Sequence, residues 1–584
     1  MLLSMVPQFQ ANAWVNPNLA AGAVIGNDYN EGYSIVSDSS GNFYLGGYQR
    51  GTADFDMESG VANSVGNASS ANTGYIAKYS PKGALTWVRT FLGTSSLTSD
   101  IALDSSGNVI AAGWFSGSID FNPNAGFDTR TALGSHDSFA VKLTANGDYL
   151  WARTFGGSNS DQTNSMSVDG SGNVLVGGTF SGSVDFNPGA GVATLSSNGA
   201  IEDAYVLKLD PDGLYLWANR FGGTSTETVY AVEASAAGDV YLTGQFNSVT
   251  DFDPGAGTAS RTPVSSTYDL YLLKLSSAGD YSWVYVVGGD SQFEQGYAID
   301  IDSNGDVILG GSFGTSVDFD AGIGVFTMTS AGSVEAFIIK ITSAGSFVWS
   351  KRMGFTGEEY LYSIALDSSN NIFFGGRFFG TTDLNPGAET VTATASGTID
   401  GYVVKLDSLG TYQWAYSFGS TGNERVTALT TDPTGNLIAT GSFSTSVDLD
   451  FTSGVYTFTN ASRITAFVFK LSPQGVTEPS GPKTMPTLTF ALGQGTSTVI
   501  TYRTNFNIVV NSDVAGSVTF FANGKKIPGC IGKAITTSAT CVYKSSIRGA
   551  VRVTATLTPT ATVDYFNATS VPITLLTAPR TTRR

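Results

Sequence analysis

The sequence predicts an all-β protein in which a seven-bladed β-propeller is followed by a smaller β-sandwich. Of its 584 residues, 41% are apolar and 13% are charged, which is typical of a globular protein. The chain contains 70 glycines, and no segment places apolar residues at helical spacing. Short apolar runs bounded by Gly, Asp and Ser indicate many short strands joined by turns.

Internal repetition predicts the propeller. A tryptophan, a turn asparagine or aspartate, and a lysine each recur roughly every 65 residues, a period that indicates a repeat architecture. The recurring residues are Trp14, Trp87, Trp151, Trp217, Trp283, Trp349 and Trp414; Asn42, Asn108, Asn173, Asp239, Asp306, Asn371 and Asn436; and Lys78, Lys142, Lys208, Lys274, Lys340, Lys405 and Lys470. Only Trp114 stands outside the tryptophan series.

Each repeat contains four predicted strands, which is the content of one propeller blade. In the fourth repeat these are "YAVEAS", "VYLTGQF", "LYLLKL" and "YSWVYVV". The last repeat stops after its third strand, "AFVFKLSPQG", and the chain starts with an unpaired fourth strand, "NAWVNP". We therefore expect the N-terminal strand to complete the last blade and to close the ring.

Composition predicts the domain boundaries. We assign residues 1–9 to a signal-peptide remnant, because "ANA" follows a short apolar run, and residues 10–472 to the propeller. A Pro-rich linker at 473–486 precedes the sandwich at 487–577 and a basic tail at 578–584. No apolar run reaches the length of about 18 residues that a transmembrane helix needs.

The repeats resemble a known family. "DSSGN" (38–42 and 104–108), "DAYVLKL" (203–209) and "WARTFGG" (151–157) are similar to SBBP-type β-propeller repeats of bacterial surface and secreted proteins. "GSVTFFANGKKIPGC" and "CVYKSSIRGAVRVTATL" look like bacterial Ig-like repeats, which implies a spacer or adhesive module. The resemblance implies a secreted or cell-surface location but does not by itself assign a function.

Cys530 and Cys541 are the only cysteines. A disulfide between them would close a short loop, contribute on the order of 2 to 3 kcal/mol, and imply an oxidising, exported location. The alternative is a pair of free thiols in a cytosolic protein. A zinc site is not expected, because this domain offers no further Cys or His ligand.

Charge and residue types restrict the function. Residues 1–478 hold 46 of the 48 acidic and 19 of the 30 basic residues, which gives −27 there and +9 in the rest. The acidic part argues against nucleic-acid binding. His136 is the single histidine and is expected at the surface before a strand, so a Ser-His-Asp or Cys-His nucleophile is difficult to assemble.

An acidic loop, "DFDPGAG" at 251–257, recurs after the second strand of the repeats. Residues i and i+2 of an extended segment project to one side, so each pair of carboxylates is a candidate calcium site. The candidates are Asp54, Asp56, Asp251, Asp253, Asp318, Asp320, Asp448 and Asp450. The structural alternative is a turn in which Asp and Asn accept backbone N–H groups while Pro and Gly set the backbone angles.

Two further recurring sets carry charge. Glu31, Asp161, Glu227, Glu294, Glu359 and Glu424 precede or open the first strands, and strand topology predicts that they share one acidic face with the "DFDPGAG" loops. The recurring lysine is expected to pair with the loop aspartate of its own blade, or alternatively to form a ring that binds sugar or phosphate.

The sequence thus favours a non-enzymatic, exported bacterial protein whose propeller binds a surface carbohydrate or protein ligand. One alternative is a carbohydrate-active enzyme, a lyase or hydrolase that uses acidic loop residues. The other is a structural component of a surface assembly, in which acidic and basic domains of neighbouring copies associate.

Overall fold

The fold is given by a computed structural model. It describes residues 22–25, 29–57, 62–67, 70–198, 201–264, 267–290, 293–449, 451 and 457–475, and, further on, 488–492, 499–501, 505–512, 516–523, 525–536, 538–544, 549–559, 568–569 and 573–578. The described residues form β-strands and turns without an α-helix. They divide into a first unit, Met1–Phe451 with Val455–Val476, and a second unit, Thr477–Arg584 with Thr452–Gly454.

Repeats of four antiparallel strands follow one another along the first unit, as in a β-propeller, and one long strand joins the first two repeats into a single sheet. The chain enters with β1 (Gly22–Ile25). Repeat 1 contains β2 (Asn30–Ser37), β3 (Phe43–Gln49), β4 (Thr52–Asp54), β5 (Asn63–Val65), β6 (Thr73–Tyr79) and the first half of β7 (Leu85–Leu103). Repeat 2 contains the second half of β7, β8 (Val109–Asp120), β9 (Thr129–Thr131), β10 (Asp137–Leu143) and β11 (Tyr149–Phe155). Repeat 3 contains β12 (Gln162–Val168), β13 (Val174–Phe180), β14 (Ser183–Asp185), β15 (Thr194–Ser196), β16 (Asp203–Leu209) and β17 (Tyr215–Phe221).

The remaining repeats have the same order of strands. Repeat 4 contains β18 (Glu227–Ala234), β19 (Val240–Phe246), β20 (Thr250–Asp251), β21 (Ser260–Arg261), β22 (Asp269–Leu275) and β23 (Tyr281–Val287). Repeat 5 contains β24 (Gln295–Ile301), β25 (Val307–Phe313), β26 (Ser316–Asp318), β27 (Thr327–Thr329), β28 (Glu335–Ile341) and β29 (Phe347–Met353). Repeat 6 contains β30 (Glu359–Leu366), β31 (Ile372–Asp383), β32 (Thr392–Leu406) and β33 (Tyr412–Phe418). Repeat 7 contains β34 (Arg425–Thr431), β35 (Leu437–Asp448), β36 (Thr457–Leu471) and β1.

The first strands of the repeats pack against one another in sequence, and β34 packs against β2. We call this set (β2, the second half of β7, β12, β18, β24, β30 and β34) the inner ring. Its closing contact includes an ion pair between Arg425 and Glu31 at 2.7 Å and a hydrogen bond from Thr427 Oγ1 to the carbonyl oxygen of Gly32. The packing of the inner ring therefore runs continuously from the last repeat to the first.

Each first strand contains a β-bulge, because its pairing with the second strand skips one residue. Close backbone approach near the bulge explains the recurring Gly-Gly of the second strands. A Cβ atom at Gly178, for example, would lie 1.9 Å from the carbonyl oxygen of Gln162. Only glycine fits at that position.

The sequence prediction of ring closure was wrong about the segment involved. The strand that pairs with β36 is β1, with Gly22 opposite Phe469 and Ile25 opposite Ala466. The predicted strand at 12–17 lies outside the described residues. A chain segment before β2 does supply a fourth strand to the last sheet, but it comes later in the sequence than the Trp14 pattern indicated.

The second unit contains two sheets. One consists of β37 (Leu488–Leu492), β39 (Asn505–Ser512) and β43 (Ser538–Lys544). The other consists of β38 (Val499–Thr501), β40 (Gly516–Ala522), β41 (Lys525–Lys526), β42 (Lys533–Ile535), β44 (Gly549–Pro559), β45 (Ala568–Thr569) and β46 (Ile573–Ala578).

The predicted disulfide between Cys530 and Cys541 is present, with a Cα–Cα distance of 5.4 Å. It connects the two sheets rather than the arms of one hairpin. Cys541 lies on β43, whereas the carbonyl oxygen of Cys530 accepts a hydrogen bond from Phe520 N–H of β40. A membrane-spanning helix is absent from the described part of the chain.

Candidate functional site

The recurring "DFDPGAG" loop is built as a turn around its first aspartate. Asp251 Oδ1 accepts hydrogen bonds from the backbone N–H groups of Asp253 (3.1 Å) and Ala259 (2.7 Å), and Asp253 Oδ1 accepts one from Gly255 (2.8 Å). Phe252 between them is fully buried against Phe246 and Tyr271. The loop therefore closes a short hairpin and anchors it in the core of its repeat.

The other predicted calcium ligands follow the same plan where the structure describes them. The first aspartates accept two backbone N–H groups each: Asp54 from Asp56 and Ala62, and Asp318 from Asp320 and Phe326. Asp320 accepts Gly322 N–H, Asp448 ends β35, and Asp450 lies outside the described residues. Within the described ranges, no three His, Cys, Asp or Glu side chains gather as a metal site, so calcium at these loops stays a prediction.

The second acidic set is buried inside the repeats and does not form an exposed rim. Asp161, Glu227, Glu294, Glu359 and Glu424 are at most 1% exposed. Glu31 does not belong to this set, because the register of β2 with β3 places Asn30 at the equivalent position. In the first repeat Asn30 stands at the position of the acid, and Glu31 follows it. The sequence prediction therefore placed Glu31 one residue too early in its strand.

Each of these buried acids lies close to a second buried carboxylate, which belongs to the third strand of the preceding repeat. The pairs are Asp137 with Asp161, Asp203 with Glu227, Asp269 with Glu294, Glu335 with Glu359, and Asp400 with Glu424. Burial raises the carboxyl pKa values, and the neighbouring negative charge raises them further: that of Asp161 to about 6, those of Asp269 and Glu424 to about 7, and that of Glu359 to about 8.

The recurring lysine connects neighbouring repeats at the end of the first strands opposite to the buried acid pairs. Lys208 Nζ lies 2.9 Å from Asp169 Oδ2 in the β12–β13 turn of its own repeat and donates to the carbonyl oxygen of Ser277 in the next repeat (3.1 Å). Trp217 Nε1 donates to the same carbonyl oxygen. The predicted ion pair thus exists, but its partner is the turn aspartate and not the "DFDPGAG" aspartate.

The Lys–Asp–Trp arrangement, which we call the inter-repeat lock, recurs along the ring. The lysine donates to a carbonyl of the next repeat from Lys78, Lys142, Lys208, Lys274 and Lys405. A groove of about 530 Å³ beside Lys208 and Trp217 is part of this arrangement. The recurring Trp, Lys and turn residues are therefore explained by contacts between repeats.

The other end of the inner ring, where the first strands begin, differs from repeat to repeat. We call this end the mouth, and its mouth pairs consist of the first-strand residue two positions before the bulged residue and its partner on the second strand. These pairs are Glu31 with Tyr48, Leu97 with Trp114, Gln162 with Thr179, Thr228 with Gln245, Gln295 with Ser312, Tyr360 with Arg377, and Arg425 with Ser442. No two repeats have the same pair.

The bulged residues add a cluster of tyrosines to the mouth. Tyr33, Tyr230, Tyr297 and Tyr362 occupy the bulge and are partly exposed. The rings of Tyr230 and Tyr297 lie 5.2 Å apart and those of Tyr297 and Tyr362 5.5 Å apart, so they form a continuous aromatic surface across three repeats. Burial raises the pKa of Tyr230 to about 12, which keeps its phenol protonated.

Trp114 and His136, the two residues that depart most clearly from the repeat, also meet here. Their rings lie edge to face at 4.7 Å, and His136 Nδ1 lies 3.4 Å from Ser160 Oγ. Both side chains are partly exposed. His136 is thus at the surface before a strand, as predicted, and contributes to the mouth through its contact with Trp114.

The mouth was not predicted from the sequence, because its residues do not repeat. A signal was nevertheless present. Four tyrosines recur at the bulge position, and both Trp114 and His136 fall at corresponding ends of neighbouring strands. The bulge moves each tyrosine out of the alternating pattern of its strand, so a period of two residues does not assign it to the inner face.

Comparison with known proteins agrees with a repeated β-structure. Over 502 residues, or 72% of its length, the chain is 23% identical to an uncharacterized WD repeat-containing protein of Acanthamoeba polyphaga mimivirus, covering 36% of that protein. It is 25% identical over 213 residues to the regulatory protein FlaEY of Caulobacter vibrioides, which is 35% of this chain and 21% of that protein. The chain thus spans about a third of the first relative and about a fifth of the second.

No family model matches the sequence. Among solved structures, the extracellular domain of a hybrid two-component system from B. thetaiotaomicron aligns with 95% of this chain and all of that domain at 11% identity. Its TM-score of 0.15 defines neither fold nor function.

Proposed function

We propose that the first unit is a seven-bladed propeller of the SBBP type and that the second is an Ig-like sandwich, together forming an exported bacterial binding or adhesion protein without enzymatic activity. The cyclic packing of the inner ring and the β1–β36 pairing support the propeller. The paired sheets of the second unit support the sandwich. The disulfide supports export to an oxidising compartment.

The mouth is the proposed ligand site. The observation that carries this proposal is the contrast between the two ends of the inner ring: the inter-repeat lock repeats the same residues, whereas every mouth pair is different. Contacts needed to hold the ring together must recur in each repeat. A site for one asymmetric ligand instead needs a different residue from each repeat, as the mouth provides.

A carbohydrate fits the residue types of the mouth. Tyr297, Tyr362 and Trp114 offer aromatic faces on which a sugar ring can stack, and their partial exposure leaves area for such contact. Gln295 is partly exposed and donates a hydrogen bond to the buried Gln245, and amide groups both donate to and accept from sugar hydroxyls. A protein ligand is the second candidate, because tyrosine, tryptophan and arginine are also enriched in protein interfaces.

We favour binding over catalysis because the acid pairs are buried. A glycosidase needs two carboxyl groups that flank the bond to be cleaved, whereas Asp161, Glu359 and Glu424 lie within the packing of the repeats. Assembly through the acidic first unit and the basic second unit remains a separate proposal, which the oligomeric state of the protein tests.

The function is tested by probing a glycan and matrix-protein array with the full chain, first with calcium and then with chelator. We expect binding to one class of glycan. Turnover of a polysaccharide would support the enzyme, and concentration-dependent, salt-sensitive oligomers without array binding would support assembly. Loss of binding in chelator would make the "DFDPGAG" loops part of the site.

A further inference from the structure

We propose that the mouth binds an acidic oligosaccharide and that Arg377 pairs with a carboxylate of one of its sugars. This inference rests on the proposed binding function and adds to it the class of ligand and the residue that selects it. Three observations support it: aromatic rings surround the Arg377 guanidinium, no described carboxylate forms an ion pair with it, and a second arginine without an acidic partner lies nearby.

The guanidinium of Arg377 lies over aromatic rings. It lies on β31 opposite Tyr360 of β30. Its guanidinium carbon is 4.9 Å from the centre of the Tyr360 ring, 5.6 Å from that of Tyr362 and 5.5 Å from that of Phe379. A guanidinium stacked in this way is pre-organised, and its planar N–H groups match the two oxygens of a carboxylate.

Four other arginines of the first unit already have acidic partners. The ion pairs are Arg130 with Asp128, Arg220 with Asp203, Arg352 with Glu335, and Arg425 with Glu31. None of the ion pairs between described residues includes Arg377, and its buried Nε has no hydrogen-bond partner among them. Arg377 is therefore an arginine of the mouth whose charge forms no ion pair with a described carboxylate.

A second such arginine lies on the same arc of the mouth. Arg50 in repeat 1 stacks 4.6 Å from the centre of the Tyr29 ring, and its Nε donates to Asn72 Oδ1 at 2.7 Å. Repeats 6, 7 and 1 are neighbours in the inner ring, so Arg377, Arg425 and Arg50 fall on one arc. Arg425 is paired with Glu31, so Arg377 and Arg50 supply the positive charge of this arc that is left unpaired among the described residues; within a region that carries −27 over residues 1–478, this favours an anionic ligand there.

A sugar acid accounts for the arc better than an acidic peptide does. Tyr360 and Tyr362 stack against each other at 6.1 Å beside Arg377, and their neighbour Tyr297 continues the surface. A hexuronate presents a flat apolar ring face and a carboxylate in one rigid unit, which matches an aromatic face next to a guanidinium. A flexible Asp or Glu side chain supplies only the carboxylate and loses more conformational entropy on binding.

The test uses the full-length protein and three probes in isothermal titration: a hexameric oligogalacturonate, a neutral glucose hexamer, and a poly-glutamate peptide. Wild-type protein should bind the oligogalacturonate more tightly than the neutral hexamer, with an affinity that falls as salt rises. Arg377→Gln should weaken binding by about tenfold or more, which is the loss of one charge-assisted hydrogen-bonded pair. Arg261→Gln, on the hairpin strand β21, changes the net charge equally and should leave the affinity unchanged.

Several results would overturn the proposal. Equal binding by wild-type and Arg377→Gln proteins of the same melting temperature would remove Arg377 from the site. Tighter binding of the neutral hexamer would refute the acidic ligand while leaving the binding function intact, and binding of poly-glutamate alone would replace the sugar with an acidic peptide. If oligogalacturonate does not bind while the array shows another ligand, only the ligand class fails; if the array also shows none, the binding function itself fails.

Discussion

At the scale of single residues, the inter-repeat lock places the buried charge of a lysine at the contact between two neighbouring repeats. The side chains of Lys208 and Asp169 are each 3% exposed, so removing the lysine leaves a buried carboxylate without its cation. The Asp169 carboxyl is desolvated, yet its hydrogen bonds with Lys208 and Asn173 hold its pKa below the usual value. The lysine is thus a structural residue and not part of a ligand-binding ring.

We expect Lys208→Met to lower the free energy of unfolding by about 3 kcal/mol, the usual cost of breaking a buried ion pair by removing one partner. Denaturant unfolding of the full chain measures this loss. Lys82→Met, at an exposed turn, is the matched control and should change stability little. A loss at Lys208 no larger than that at Lys82 would mean that the lock does not stabilise the ring.

The buried acid pairs should make the folded protein less stable as the pH rises. Burial and the neighbouring acid raise the pKa of Glu359 to about 8 and that of Glu424 to about 7, whereas an unfolded glutamate titrates near about 4.3. The folded chain therefore holds more protons than the unfolded chain between these values. Stability falls as pH rises through this window.

We predict that the melting temperature is highest near about pH 5 and decreases from there to about pH 8. Aspartates with lowered pKa, such as Asp169 and Asp432, reverse the trend below about pH 4. Glu359→Gln should flatten the decrease, because a neutral amide cannot ionise, while Asp212→Asn at an exposed turn should leave it unchanged. A melting temperature that rises between about pH 5 and 8 would show that these acids ionise freely in the folded protein.

Residues that repeat could be predicted from the sequence, and residues that do not repeat could not. Trp217, Lys208 and Asp169 have counterparts at most contacts between repeats, so their period revealed the fold. Arg377 and Trp114 each occur in one repeat only and carry no period. Their shared position at the mouth depends on strand register, which the bulge shifts by one residue.

At the scale of elements, β1 decides whether the last sheet has four strands. It pairs with the outer edge of β36 along four residues, from Gly22 to Ile25. Without it, β36 would present unpaired backbone groups to solvent. The sequence predicted that an N-terminal strand fills this place, but the Trp14 period could not locate it, because β1 lacks the tryptophan that marks the other fourth strands.

Two truncations separate β1 from the segment before it. A protein lacking residues 1–20 retains β1 and should melt close to the full-length protein. A protein lacking residues 1–27 loses β1 and should melt at a lower temperature, because four residues of strand pairing are removed from the closing sheet. Equal melting temperatures for the two truncated proteins would mean that β1 does not contribute to closing the ring.

The bulge of the first strands determines which side chains lie at the mouth. It adds one residue to each first strand, and in four repeats this residue is a tyrosine at the mouth. In the other repeats the residue is Ser99, Asn164 or Thr427, whose side chain bonds to the backbone of the next repeat. The same backbone irregularity thus supports packing between repeats at repeats 2, 3 and 7 and places a tyrosine at the mouth in repeats 1, 4, 5 and 6.

At the scale of the whole molecule, the two ends of the inner ring differ in how strongly their residues repeat. One end holds the repeats together through the lock, and its residues are almost constant. The other end gathers tyrosines, arginines and the single histidine, and its residues vary. A ring of similar repeats can in this way present one asymmetric surface, the mouth, and we propose that the mouth recognises the ligand.

The most direct test of this account is the glycan array, probed in parallel with three full-length proteins: wild type, the mouth variant Tyr297→Ala with Arg377→Gln, and the loop variant Asp251→Asn. We predict that the wild-type and loop-variant proteins bind the same acidic glycans and that the mouth variant binds none of them while keeping its melting temperature. Binding that survives in the mouth variant and disappears in the loop variant would contradict the account, because it would move the site to the "DFDPGAG" loops.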